Sequence, residues 1–559
     1  MKINRILACS SIAASVLVSG LSLSSCTGNF EELNTNPYQV DPANLPTTSQ
    51  FVEPMTYVYA PQQNLFQFWT NLSIDLYGGY FMTPHNFSGN GNADYKLNRG
   101  FNGGMYENYY LHIFNNTSRL IKQYDEMGQA DFAAVMRVIQ AYATACATDA
   151  YGPIPYSSVI VSNGVSFAYD KQQDIYNAIF QLLDDAVSGF KSSSAKPGEW
   201  NDFDYWCGGD MQLWVKVANT FKLRYAMRIV KADPALARQK AEEAVAGGVL
   251  TNADRDILID KGVSNELRRM FDWGDCGMNA SLVTIMQGYN DPRMPLFMTK
   301  NINDVNKYKE NKEDPDELVV AKGMEYIGIR GGSELPNKPN PWSNYSGIVC
   351  DYNTPLPVLK VAEAYFLRAE GALRGWNMGG SAKDLYNQGI RVSIQNELKY
   401  KAPFVKGEPV TITDAQIDAY INGTTMPIDY VDPANAINNI AAMNLVPVKF
   451  ADGESNEYKL QQIITQKWIA NFPLSTEAWA EYRRTGYPKL FPNRVNKSEG
   501  TIDTDEQVRR LIYSGVEQNT NAAELDKGIQ LLDQESSSTF KGDIGGTRVW
   551  WDRANKGNF

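Results

Sequence analysis

At 559 residues with 43% hydrophobic side chains the chain is long enough to bury a large core, and a formal net charge of −11 argues against nucleic acid as a partner. Aromatic residues make up 12%, with 31 Tyr and 11 Trp, more rings than an interior covers completely, so some face solvent. No polybasic patch offers itself to a membrane surface.

Residues 1–25 have the three parts of an export signal: Lys2 and Arg5, an apolar stretch from Ile12 to Leu23, and small serines before Cys26. The stretch is too short and too broken by serine to span a bilayer. Leu23-Ser24-Ser25-Cys26 is the pattern of a bacterial lipoprotein cleavage site, where the Cys26 sulfur takes a diacylglycerol and the freed amine a further acyl chain. Two or three chains make a stable anchor. An ordinary secretory signal with an incidental Cys26 is the competing reading, and it gives no reason for leucine three positions before the cut. Residues 26–44, rich in Asn, Thr and Pro, are expected to form a tether, with Glu31 and Glu32 where a surface-export signal would lie. Cleavage removes Lys2 and Arg5 and leaves the body more acidic, so lipid alone would tie it to the membrane.

From 45 to 559 a single domain is expected, alternating amphipathic helices with Gly-, Pro- and Asn-rich loops. The first helix pair falls near 103–150 and 171–190, with Asp170 capping the helix from Ile175 to Val187. In the second pair, at 211–248, Trp214, Val217, Phe221, Tyr225 and Ile229 share a face; Asp233 caps the next helix and Pro234 opens it. The third pair, at 357–398, begins after Pro357. Val358, Ala362, Tyr365, Ala369 and Ala372 form one face, and Lys360, Glu363, Glu370 and Arg374 the other, where charge pairing at the surface is the expectation. Ser381 and Asp384 read as a capping box. Alternating large and small residues in paired helices is the tetratricopeptide pattern, so the expected fold is all-α: a tetratricopeptide-like helical-repeat scaffold with a large loop-rich irregular module. Blocks 251–279, 288–354 and 402–455 supply the loops, and loops of that length usually carry function. Cys146, Cys207, Cys276 and Cys350 have no metal-ligand spacing; they allow two disulfides in three pairings, or none, and Cys146 reads as buried in its apolar helix.

Six segments, in order, carry a resemblance: NFEELNTNP from Asn29, YGPIPY from Tyr151, Asp291-Pro292-Arg293, AEAYFLRAE from Ala362, EAWAEYRRTGYP from Glu477 and RVWWD from Arg548. Together they resemble the SusD/RagB outer-membrane lipoproteins of the Bacteroidetes across most of the mature chain. The resemblance implies a lipid-anchored, cell-surface nutrient-binding protein of the outer membrane, a tetratricopeptide-like scaffold, and a place as a lid on a SusC-like TonB-dependent transporter. It implies no catalysis and no cofactor. Ligand residues vary among members, so the nutrient is not identified by it.

Enzymatic chemistry finds no motif. The only two histidines, His85 and His112, have no partner at zinc-ligand spacing, and neither a Gly-x-Ser-x-Gly elbow nor a phosphate-binding loop occurs. Gly89-Asn90-Gly91 reads as a flexible loop. Paired carboxylates for glycoside hydrolysis remain open to any acidic chain. A surface glycan-processing enzyme and a structural or adhesive lipoprotein are therefore the alternatives to a capture protein.

A sugar site wants flat rings for stacking beside Asn, Asp or Arg for hydrogen bonds. Two stretches offer that mixture, Phe101–Asn108 and Trp342–Tyr345. Trp342 and Tyr345 rank first, Phe101 and Tyr106 second, with Asn102 and Asn344 as polar partners; Trp206, Trp273 and Tyr77–Phe81 rank lower. The competing role for each ring is to fill a gap between loop and helix. An oligosaccharide and an oligopeptide would both suit such a surface.

Overall fold

The computed structural model describes residues 47–84, 91–161, 166–301, 325–333, 345–433 and 435–559. Contacts divide the chain into Met1–Gln50, of which only the turn Thr47–Gln50 is described, and Phe51–Phe559, which holds every other described element. Cys26 and the tether lie outside the described residues.

Helices dominate the second unit. Those that matter most are α1 Asn115–Glu126, α2 Ala130–Tyr151, α3 Gln172–Lys191, α4 Met211–Arg228, α5 Pro234–Gly247, α6 Glu266–Asp272, α7 Val361–Leu373, α8 Ala382–Lys401, α9 Asn456–Ala470 and α10 Ser475–Thr485. Each of α1 to α5 packs on its neighbour in sequence, α7 packs on α8 and α9, and α4 bridges the two groups through α7 and α10. The result is all-α, a tetratricopeptide-like array with irregular loops. Strands are confined, among the described residues, to three antiparallel pairs, the largest joining Ile257–Ile259 to Leu356–Leu359 with Ile257 opposite Leu359.

Caps set the helix starts. The Asp210 side chain accepts from the Leu213 N–H at α4, Asp233 from Leu236 at α5 behind Pro234, Ser381 from Asp384 at α8, and Ser455 from Tyr458 at α9. Asp170 does something else. Its carboxylate accepts from the N–H groups of Tyr156 and Ser157, at 2.9 Å each, closing the YGPIPY turn, while Lys171 takes the cap position of α3. The third pair likewise starts later than its periodicity suggests, because Leu356–Leu359 is a strand and the helix begins at Val361.

The largest departure from the sequence reading is the charged face of α7. Glu363 and Glu370 are fully buried, and Arg374 is half-buried. Helices α4, α8 and α9 cover α7 from several sides, so its charges meet partners inside the protein. Arg224 donates to both Glu363 oxygens, at 2.7 and 2.5 Å, and Arg484 forks onto Glu370 with two bonds of 2.7 Å. Arg228 pairs with Glu477, with Glu481 at 3.1 Å and with Asp149 at 3.2 Å; Lys467 reaches Glu477 at 2.8 Å, Glu481 at 3.4 Å and Glu363 at 3.5 Å. Five helices, α2, α4, α7, α9 and α10, are thus joined by alternating charges. Burial works against ionisation, yet Arg484 and Lys467 hold Glu481 well below the usual carboxylate range, and Arg228 and Lys467 lower Glu477. Lys360 also lies inside, bound to Glu397 and to the Phe472 carbonyl.

The motifs behind the resemblance feed this interior. In RVWWD, Trp551 donates its indole N–H to Asp149 at 2.7 Å and Asp552 is shared by Arg509 and Arg548. Arg293 of Asp291-Pro292-Arg293, fully buried, binds Asp291 at 2.6 Å, Ser393 at 2.8 Å and Tyr420 at 3.0 Å. Gly486 ends α10 at φ 80°, a left-handed turn that suits glycine. The four described cysteines are free thiols.

Removing one partner leaves a buried charge unpaired. Arg484→Met should therefore lower the unfolding free energy by about 3–5 kcal/mol, read as a fall in the urea midpoint. A loss below about 1 kcal/mol would show that the network is a passive feature of the core.

Candidate functional site

The strongest site in the described structure forms where α6 meets the 345–354 segment and the chain after α8. Asn265, just before α6, donates its backbone N–H to the Tyr352 carbonyl and its amide to the Thr354 carbonyl, both at 3.0 Å, which fixes that turn against the helix. The Tyr352 hydroxyl then donates to Asp272 at 2.8 Å, and the Arg269 guanidinium sits 4.9 Å above its ring. That hydrogen bond raises the phenol above its ordinary pKa; burial works against ionisation of Asp272, yet Arg268 and Tyr352 together hold its carboxyl below the ordinary value. The ring is held at its hydroxyl by Asp272 and on one face by Arg269 and is still 36% exposed; Trp273, at the end of α6, is 37% exposed.

Beside this platform lies a cleft of about 420 Å³, lined by Arg268, Lys300, Tyr326, Val349, Phe404 and Glu408 among others. Tyr326 and Phe404 are half-buried, so each ring has backing and an open part. The floor is braced by backbone bonds, Val349 N–H to the Phe297 carbonyl at 3.0 Å and Thr299 N–H to the Gly347 carbonyl at 2.9 Å. Cys350 lies at the back, where burial pushes its thiol up to about 11, so it stays protonated and unreactive at neutral pH. Rings rimmed by guanidinium, ammonium and carboxylate groups suit a polyhydroxylated ligand. Among the described residues no group of three or more His, Cys, Asp and Glu gathers to hold a metal ion.

The family model for SusD-like proteins, the SusD and RagB outer membrane lipoproteins, matches residues 29–552. The chain belongs to this SusD-like family. A chitin-binding SusD homologue from Flavobacterium johnsoniae is 35% identical, with a TM-score of 0.79 over 92% of this chain and 100% of that one. A SusD-like protein from Bacteroides thetaiotaomicron is 30% identical, with a TM-score of 0.79 over 92% and 100%. A further chitin-binding protein is 25% identical, with a TM-score of 0.69 over 91% and 100%. No curated protein matches the chain.

Within this SusD-like structure the residues singled out from sequence separate. Trp342 and Asn344 lie outside the described residues. Tyr345 is 3% exposed, and its hydroxyl donates to Asp432 at 3.0 Å, pinning the segment to the 430–440 loop instead of presenting a face. Tyr106 and Asn102 are buried too. The Tyr106 ring packs on Tyr110 and Tyr151, and the Asn102 carbonyl accepts from the Tyr151 hydroxyl, so both belong to the support beneath the YGPIPY turn. Phe101 is half-buried and lies edge-on to the exposed Phe68 at 4.9 Å, a small aromatic corner of its own. Of the rings ranked lower, Trp206 and Tyr77–Phe81 are core, and Trp273 is the one that reaches solvent. Tyr326, Tyr352 and Phe404 went unnoticed in the sequence; their position in the loop-rich blocks was the available signal. His112 stacks on Tyr57 at 3.9 Å and bonds Glu53 at 2.9 Å, and His85 lies outside the described residues.

One buried acid invites a catalytic reading. Burial raises Asp75 to about 7, against the opposing effect of the Ser475 and Thr70 hydroxyls, and its Oδ2 has no hydrogen-bond partner. The adjoining cavity is only about 30 Å³, space for a water and not for a substrate. Asp75 is thus a stability group: the fold prefers its neutral form, so stability should rise as pH falls from about 7 toward the unfolded value of 3.8. Asp75→Asn should remove about 4 kcal/mol of that pH dependence. Parallel stability profiles for the two proteins between pH 5 and 8, measured by chemical denaturation, would contradict the assignment.

Proposed function

We propose that this protein is a non-enzymatic, lipid-anchored capture protein of the cell surface that holds an oligosaccharide across the Trp273–Tyr352 platform and the neighbouring cleft. It then passes the ligand to a SusC-like TonB-dependent transporter of the outer membrane. The observation that carries the reading is the partly exposed Tyr352 ring, held by Asp272 and Arg269, near a 420 Å³ cleft on a fold shared with a chitin-binding SusD homologue at 35% identity. A chitin oligosaccharide is the first ligand to test. Trp342 and Asn344 join the proposed contact set from their place in the sequence, ten or fewer residues before Tyr352. The tie to the membrane is Cys26, and no described helix is long and apolar enough to cross a bilayer.

Calorimetric titration with chitin oligosaccharides should give binding without hydrolysis. Tyr352→Ala and Phe404→Ala should each weaken it about three- to tenfold while leaving the unfolding midpoint in place. Release of shorter sugars would overturn the capture reading, unaltered affinity in both variants would overturn the site, and preference for peptides of similar length would overturn the cargo.

Cys26→Ser is expected to leave the body folded and shift it from the membrane fraction to the soluble one. Retention in the membrane would remove the lipid anchor from the proposal.

A further inference from the structure

A second cleft, remote in sequence from the glycan platform, has the opposite electrostatic character from the protein as a whole. It is 370 Å³ in volume, within the roughly 300–1,000 Å³ of small-molecule sites, and forms where the chain leaves α4 and α10 and the C-terminal segment crosses them. Its lining carries eight cationic side chains and two carboxylates, Asp505 and Glu506, in a chain whose net charge is −11. Three of the cations are neutralised in place, Arg484 by Glu370 and Glu481, Arg509 by Asp552, and Arg548 by Asp552 and Glu506, and a fourth, Arg483, donates to the backbone carbonyls of Asp149 and Arg509. Lys231, Lys489, Arg553 and Lys556 have no carboxylate partner among the described residues.

The unpaired groups are well placed for an anion. Lys231 is half-buried just beyond α4, and its ammonium makes no hydrogen bond among the described residues. The Arg553 Nε–H is buried without an acceptor, while its Nη1 is fixed on the Glu535 carbonyl at 3.1 Å. Lys556 reaches over the cleft and donates to the Lys231 carbonyl at 2.9 Å. The acids nearest Lys231 are committed elsewhere, Glu457 to Tyr487 and Asn558, Asp552 to Arg509 and Arg548. A buried donor and a half-buried ammonium left unsatisfied are what an incoming oxyanion would complete.

We propose that this cleft binds a small ligand through an oxyanion, a carboxylate, sulfate or phosphate, with Lys231 and Arg553 as its principal contacts. The site is independent of the glycan platform and stands or falls apart from it. Burial, with the repulsion of Arg484 and Arg374 and against the attraction of Asp552 and Glu457, lowers the Lys231 ammonium to about 8. An anion on it would raise that value, so affinity should fall as pH climbs through about 8.

The test is calorimetric titration of the full-length protein in detergent with glucuronate, glucose, sodium sulfate and sodium phosphate at low ionic strength. Glucuronate, sulfate or phosphate should bind and glucose should not. Tighter binding of glucuronate than of the inorganic ions identifies a sugar-borne acid as the source, and the reverse order identifies the free ion. Lys231→Gln should weaken binding about tenfold and Lys231→Arg should restore it. Should Lys231→Gln fail to fold, Lys556→Gln on the exposed rim serves, with a smaller loss expected. Silence from all three anions, or binding unaltered in Lys231→Gln and Lys556→Gln alike, would overturn the proposal.

Discussion

Everything in the second unit is arranged around charges that have been taken out of water together. Asp149, Glu363, Glu370, Glu477 and Glu481 face Arg224, Arg228, Arg374, Lys467 and Arg484, drawn from helices separated by hundreds of residues and from the residue that ends α7. Desolvating ions is unfavourable, and only close, multiply hydrogen-bonded geometry offsets it. Such geometry is satisfied in one arrangement of the five helices. A hydrophobic core tolerates small rotations; a bidentate guanidinium–carboxylate fork does not. The network therefore fixes helix orientation more than it adds stability, and the loops are carried on the frame it fixes.

That frame explains how long irregular segments present an ordered surface. The Tyr352 turn is tied to the start of α6 by Asn265, and its ring is held by Asp272 and Arg269. The Tyr345 segment is locked by Asp432. Side chains that fix loops are buried and hydrogen-bonded, and those left over at the rim are the ones available to a ligand. Support and contact are thus divided between neighbouring residues, sometimes within the same short stretch.

The two clefts make a contrast in how a site is made. Around α6 and the 345–354 segment, Tyr352 and Trp273 are partly exposed while the Tyr352 hydroxyl is satisfied by Asp272, which suits stacking against a neutral sugar. Behind α4 and α10, cations are left partly buried and unsatisfied in an acidic protein, which suits an anion. The basic cleft is tied to the central network, since Arg484 closes that network and also lines the cleft.

Helical periodicity, the caps at Asp233 and Ser381, and the six ordered motifs were enough to read the scaffold and the SusD-like family from the sequence, because those signals are local and repeat within one turn or one hairpin. The sequence placed a ligand surface in the loop-rich blocks, but it could not tell a supporting tyrosine from a presented one: Tyr345 and Tyr352 are seven residues apart, and only the third dimension covers the first and opens the second. The same limit misplaced Glu363 and Glu370. On an isolated helix their spacing is that of a solvated charged face, and what moved them inside was the approach of Arg224, Lys467 and Arg484 from helices far along the chain. Local pattern set which elements form; long-range charge pairing and packing decided which face of each is buried and which residues remain free to bind.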